Sequence, residues 1–463
     1  MQKFNIVLLL TAIFIGYGQA KALTVWPDTA QNKCYGIYGS IVCPSKGQQL
    51  YGQDAQYQGQ QPSYTKLDVN GSDLPESAGT WSMVLDNVTK LTWEVKTDDS
   101  TMHDRDNDYY WCDPGMESSG YCDSENNTET FINVLNSAKF GGYDDWRLPS
   151  IQELATLIYS ESRDPAINTI YFPLTDTGYW SSTAKVGSSS YAWLSDFRDG
   201  GDVGYSSKSS TWGIRAVRGG LSTPVNHYQD NLNGTVTDRA TQLMWQQETG
   251  TPPEEIALFR SVNWKDALAY IVSLNEKHFA GYSDWRLPNR NELQSLVDYS
   301  KADPAIDTDF FPDTPHMGHW TSTTWYGDNE YAWAISFGNA SANSESYSRK
   351  TTASDNYVRA VRTYSAFTLS VGLTGNGDGT VASIPAGISC GTNCSQTYES
   401  GTKVSLTAIA GNDSIFTGWT GVCSGTGSCT FTMNQSISVV ASFRNPSLTT
   451  LIPTYLLLLN PYD

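Results

Sequence analysis

The sequence predicts an α+β chain in which two tandem copies of one mixed domain precede a small all-β module. Three observations carry this. The stretch Gly142-Tyr143-Asp144-Asp145-Trp146-Arg147-Leu148-Pro149-Ser150-Ile151-Gln152-Glu153-Leu154 returns 139 residues later as Gly281-Tyr282-Ser283-Asp284-Trp285-Arg286-Leu287-Pro288-Asn289-Arg290-Asn291-Glu292-Leu293, and the likeness extends on both sides, which marks a duplicated domain. Each copy runs strand signals, two helix signals and then several short strands, an α+β order. From residue 366 the composition turns to Thr, Ser, Gly and Val with no helical period.

Taken in order, residues 1–22 read as a secretory signal. Lys3 gives the positive end, Phe4 to Ile15 the apolar run, and Ala20-Lys21-Ala22 the small-x-small cleavage site. Residues 23–63 hold a cysteine pair and a Gln/Tyr/Gly-rich run with little to build a core, and read as a disulfide-pinned leader or linker. The first repeat spans 64–220. Trp81 to Asp86 and Leu91 to Val95 are its opening strands around the polar turn Asn87 to Lys90, and Phe131 to Ser137 its first helix. The second spans 221–365, where Thr235 to Asp238 and Leu243 to Trp245 match those strands and Trp264 to Leu274 is the clearer helix. Ser150 with Glu153, and Asn289 with Glu292, have capping-box spacing and announce a second helix in each copy. Ile151, Leu154, Leu157 and Ile158 then fall on one face, as do Leu293, Leu296 and Val297. Trp146 and Trp285 stand just before the cap, and the adjacent Arg147 and Arg286 read as scaffold. Asp164-Pro165 and Asp303-Pro304 mark matching turns, and each copy closes on short strands and Arg-Ala-Val-Arg.

Residues 366–444 alternate apolar and polar positions around the Gly375 to Gly379 turn, a strand pattern. The tail, 445–463, ends in an apolar run that contains Pro453 and is too short to span a bilayer. Docking on the protein, sorting and surface association all fit it.

The chain of 463 residues carries a formal net charge of −19, and the signal segment holds two lysines and no acid, which leaves −21. That argues against nucleic acid as a partner. The eight cysteines fall into close pairs, Cys34 with Cys43, Cys112 with Cys122, Cys390 with Cys394 and Cys423 with Cys429. An even count behind a signal segment favours disulfides, with neighbours the simplest partners. Zinc is the weaker reading, because no histidine lies near Cys390 or Cys423.

The turn before Leu-x-Trp, the Gly-Tyr-x-Asp-Trp-Arg-Leu-Pro block, the Trp-Ser/Thr-Ser-Thr strand and the closing Arg-Ala-Val-Arg resemble the Legionella collagen-like adhesin C-terminal domain family over residues 64–220 and 225–365. The resemblance implies a secreted or surface domain with a C-type-lectin-like α+β fold and, in the named adhesin, glycosaminoglycan binding. The acidic charge departs from what such binding favours. Phe416-Thr417-Gly418-Trp419 and Val439 to Phe443 resemble the bacterial extracellular repeat related to internalin B-repeats, which implies a small all-β spacer without catalysis.

Candidate sites are few. Asp104, Asp106 and Asp108 alternate in an acidic loop unique to the first repeat and offer hard oxygen ligands suited to calcium. The EF-hand glycine and terminal glutamate are missing, and a solvated acidic loop is the blander reading. The Glu-Pro-Asn and Trp-Asn-Asp strings of a calcium-dependent sugar lectin do not occur. Trp325, Tyr326 and Asp328, unique to the second repeat, are candidate ligand-binding residues, since an exposed ring with a polar rim suits a sugar face. His316 and His319 lack a third metal ligand, and the motifs of serine, zinc-protease and phosphate-loop chemistry are absent. The expectation is an exported, non-enzymatic adhesion or recognition protein that contacts glycans or a surface protein, requires no cofactor and leaves calcium open. The rival readings are a structural protein-protein component of a surface assembly and a secreted hydrolase with paired carboxylates.

Overall fold

A computed structural model describes residues 26–115, 120–175, 177–198, 200–220, 227–249, 261–338, 345–351 and 356–446. The expected signal segment and nearly all of the apolar tail lie outside them. The chain divides into two compact units, at Arg362 and Thr363.

The first unit opens with a leader hairpin of β1 (Cys34–Gly36) and β2 (Gly39–Ile41), closed by the Cys34–Cys43 disulfide, then a 3-10 turn over Asp54–Gln56. The first repeat follows as β3 (Tyr64–Leu67), β4 (Met83–Asp86), β5 (Leu91–Glu94), β6 (Tyr109–Tyr110), α1 (Thr128–Ser137), α2 (Ile151–Ala155), β7 (Gly178–Ala184), β8 (Tyr191–Asp196), β9 (Asp202–Ser207), β10 (Thr211–Trp212) and β11 (Val217–Gly219). The second is β12 (Tyr228–Asp230), β13 (Thr235–Asp238), β14 (Leu243–Gln246), α3 (Trp264–Glu276), α4 (Arg290–Gln294), β15 (Gly318–Thr324), β16 (Tyr331–Ser336), β17 (Glu345–Arg349) and β18 (Val361–Thr363). Each repeat has one four-stranded sheet, ordered β11-β5-β4-β3 and β18-β14-β13-β12 respectively. Each also has one three-stranded sheet, β7-β8-β9 and β15-β16-β17, with an irregularity after Trp180 or Trp320. The duplication read from the sequence is therefore also a duplication of topology.

The α+β, C-type-lectin-like expectation is overturned. The repeats are mostly β, built from many small sheets, and only four α-helices occur among the described residues. The capping boxes form as expected, with Ser150 and Asn289 accepting from the Glu153 and Glu292 amides. Each helix then stops after five residues. Thr156 and Ser295 donate their hydroxyls back to the carbonyls of Glu153 and Glu292 at 2.6 and 2.7 Å, occupying acceptors that a longer helix would use. Leu157 and Ile158, and Leu296 and Val297, still reach the core, but from a turn. Helical spacing identified the inward positions without fixing the length of helix that presents them.

One apolar core runs through both repeats, from Trp93 and Trp193 in the first to Leu293 and Phe337 in the second. Trp193 meets Tyr299 edge-to-face at 4.9 Å, and Gln152 donates to the Val297 carbonyl at 2.9 Å. Nine tryptophans are almost fully buried, so most of the aromatic content serves the core, where a truncation to alanine typically costs about 3–5 kcal/mol.

The second unit is all-β, as expected. β19 (Ala366–Gly375), β20 (Gly379–Ile384), β21 (Ser389–Cys390), β22 (Ser395–Glu399), β23 (Lys403–Ala410), β24 (Ile415–Gly421), β25 (Cys429–Thr432) and β26 (Ile437–Arg444) make two four-stranded sheets, β22-β19-β26-β24 and β21-β20-β23-β25. Between them lies a core with Leu369, Val404, Trp419, Val439 and Phe443. Cys390–Cys394 and Cys423–Cys429 pair as neighbours, and the buried sulfurs of Cys390 and Cys429 join that core.

Candidate functional site

The repeated motif is structural in both copies. Arg147 clasps Glu153 through two bonds of 2.7 and 2.6 Å, and Arg286 clasps Glu292 through two of 2.6 Å. The same glutamates accept from the cap amides of Ser150 and Asn289. Trp146 and Trp285 donate their indole N–H to the Phe140 and Phe279 carbonyls. The Arg-Ala-Val-Arg ends split their work. Arg215 and Arg359 are buried and donate to the carbonyls of Glu94 and Gln246, whereas Arg218 and Arg362 pair with Asp145 and Asp284 of the motif. Function therefore has to be sought where the copies differ.

They differ first beside β5. In the first repeat Glu94 is fully buried, 3.0 Å from the Lys96 ammonium and 2.8 Å from His103 Nδ1, and it accepts the Ala216 amide. Burial pushes its carboxyl up, but Lys96 and His103 outweigh that and hold it down at about 2. In the second repeat Gln246 stands at this place and donates to the hydroxyl of Tyr270, where the first repeat has Phe131. A charged buried network and a neutral one thus fill the same site.

The acidic loop lies beside this network. The structure brings Asp104 and Asp106 together, with Asp98 rather than Asp108 as the third carboxylate, all within 4.8 Å. Asp104 is already committed to the loop: it accepts the amides of Asp99, Ser100 and Asp106, which hold its carboxyl below the usual range. Asp98 pairs with Arg105 at 3.4 Å. The Cys112–Cys122 disulfide closes the adjoining insertion. His316 and His319 differ in setting. His316 is exposed and pairs with Asp303, while His319 is fully buried between Phe337 and Tyr357, and burial drives its imidazole down to about 3.

The third difference is aromatic. Trp325 is buried. Its ring stacks flat on Tyr347 at 4.0 Å, meets Tyr331 edge-on, and lies so near the first repeat that a Cβ on Gly200 would come within 2.6 Å of its Nε1. Asp328 accepts the Glu330 amide and so shapes its own turn. The rings offered to solvent are Tyr326, 43% exposed, and Tyr347, 48% exposed. Tyr347 was missed in the sequence; it lies opposite Trp333 as Tyr205 lies opposite Trp193 in the first repeat, and the difference between the copies is the Trp325 ring beneath it.

The leader makes a fourth difference: it touches the first repeat at Ser160 and Glu161 but makes its buried side-chain bonds with the second. Asn291 donates to the Pro27 carbonyl, the Gln31 amide pairs with both backbone groups of Thr324, and Thr29 and Thr323 donate to Asp54 at 2.6 and 2.5 Å. Asp54 is wholly buried and its second oxygen lacks a bond. Burial, and then the charge of Asp28, push its carboxyl up to about 8. Asp28, also raised by burial, accepts the amides of Ala30 and Gly59.

A family model for the Lcl C-terminal domain matches residues 82–218 and 234–362, more than half of the chain. The chain belongs to the Lcl C-terminal domain family. The match falls on both repeats, and a model for the divergent InlB B-repeat domain matches residues 369–447 after them. Comparisons with curated proteins and with solved structures give no match. Two Lcl C-terminal domains followed by a divergent InlB B-repeat make an adhesin-like architecture. That architecture and the four disulfides are compatible with an extracellular or surface protein, and no helix among the described residues is long and apolar enough to cross a membrane.

Proposed function

We propose that this is an exported, non-catalytic adhesion or recognition protein that binds a glycan or a host or matrix ligand, with the InlB-type module as spacer. The observation that carries the reading is the aromatic face of the second repeat. Tyr347 lies half exposed on a buried Trp325 and is braced edge-on by Tyr331 and Trp333. A ring fixed from below loses little freedom when it stacks against a sugar or an apolar side chain. Arg349 and Glu330 pair beside it and supply polar partners. The carboxylates best placed for a hydrolase reading do not favour one. Asp28 and Asp54 are committed to the leader seam, and Asp298 and Asp307, which line the cleft near Val297, each lie 3.4 Å from Lys301.

The test is an array of neutral and sulfated glycans and matrix proteins, probed with the oxidised mature protein in calcium and again in EDTA. Binding to a glycan or matrix protein supports the reading. The EDTA arm separates calcium-supported binding, for which Asp98, Asp104 and Asp106 are the carboxylates, from binding without metal. An array with no signal sinks the adhesion reading and leaves a structural component of a surface assembly ahead.

A further inference from the structure

At the seam between leader and second repeat lies a half-open cavity of about 330 Å³ that none of the contacts above fills. Its chemistry runs against the rest of the chain. In a protein of net charge −19, two lysines, Lys265 and Lys350, line it, and among the described residues no Asp or Glu does. The first turn of α3 forms part of the wall at Trp264 and Lys265, with the Trp264 amide donating to the Lys350 carbonyl and the Asp266 amide to the Asn263 cap. Tyr35, Ile37 and Leu50 of the leader make the opposite, apolar side.

Lys350 is the informative residue. It is only 4% exposed, lies 4.3 Å over the Trp264 ring and donates to Thr324 Oγ1 at 2.8 Å. Among the described residues no carboxylate stands within the 4.0 Å of an ion pair with it. Burial drives its ammonium down to about 7. Only the Trp264 ring, one hydroxyl and the more distant charge of Asp328 favour the ammonium against its burial, and an anion entering the cavity adds to them. The volume falls at the small end of ligand sites, and an apolar wall with one convergent charge is their usual composition. The first repeat repeats the lysine over the tryptophan, with Lys208 4.2 Å above Trp111, but the leader wall belongs to the second repeat.

We propose that this cavity binds a small carboxylate with a ring-shaped or branched apolar body. The carboxylate meets Lys350 and Lys265, and the body lies against Tyr35, Ile37 and Leu50.

Benzoate is the probe, titrated calorimetrically into the intact oxidised protein beside neutral benzamide and inorganic phosphate. The expected result is one benzoate bound per chain with a Kd below about 1 mM, and benzamide and phosphate each at least about tenfold weaker. Lys350→Met weakens benzoate by a similar factor, and Lys208→Met leaves it unchanged. On the wild-type chain, benzoate also protects the exposed Lys265 at the cavity, and not the exposed Lys277 at the far end of α3, from acetylation read by mass spectrometry. That readout holds even where Lys350→Met fails to fold. No saturable binding, phosphate binding as tightly as benzoate, or binding that survives Lys350→Met would each overturn the proposal.

Discussion

Two residues show how the repeats were made different without changing their fold. Glu94 is buried with Lys96, and Gln246 solves the same site with Tyr270. Glu94→Gln therefore strands a buried ammonium and should destabilise the first repeat by about 3 kcal/mol. Adding Lys96→Met and Phe131→Tyr, which imports the neutral solution of the second repeat, should recover most of that loss, as read by thermal unfolding of the three variants. Gly200 sits at φ +94 with Trp325 against it. Gly200→Ala should lower the melting temperature through both strain and overpacking, while Gly187→Ala, also at positive φ but with open space around it, should cost less. The burial of Trp325 was not legible in the sequence. Its absence from the first repeat suggested an exposed ring, but a residue unique to one copy also results when that copy fills a gap against its neighbour. Uniqueness reports a difference in surroundings and leaves its direction open.

At the scale of elements, the leader shows where reading by apolar pattern stops. Residues 26–63 are polar and carry no amphipathic period, yet they dock through Gln31, Thr29 and Asp54, whose hydrogen bonds leave no periodic trace. The helix caps and the strand pairs were legible because their partners lie a few residues away. The partners of Asp54 lie 25 and 269 residues away. Docking should also depend on pH. A free aspartate ionises near 3.8 and docked Asp54 near 8, so between those values docking takes up a proton. Raising pH through that window weakens docking, by up to about tenfold per pH unit, and above pH 8 the dependence flattens. Asp54→Asn should remove most of this dependence across pH 5 to 9, leaving the smaller share of Asp28 and Glu161, whose carboxyls burial also raises. Hydrogen exchange over residues 48–60, compared between the two proteins at each pH, checks this. Equal exchange in both at pH 9 would contradict it.

Over the whole molecule, the duplication, the disulfide pairs and the change to an all-β module were legible because each is a pattern of residue types along the chain. The lectin-like fold was not recovered, because capped, apolar-spaced segments close after five residues where Thr156 and Ser295 turn the chain. At the site, Tyr326 stays exposed, Trp325 is buried, and the ring exposed above Trp325 is Tyr347 of β17. The most direct measurement compares array binding of the mature protein with that of Tyr347→Ala and Tyr326→Ala, each checked for unchanged thermal unfolding. The account predicts that the wild-type protein binds a glycan or matrix ligand and that Tyr347→Ala loses at least about tenfold in affinity, the scale of a single aromatic anchor. Wild-type binding that both variants retain in full would contradict it and place the binding surface elsewhere.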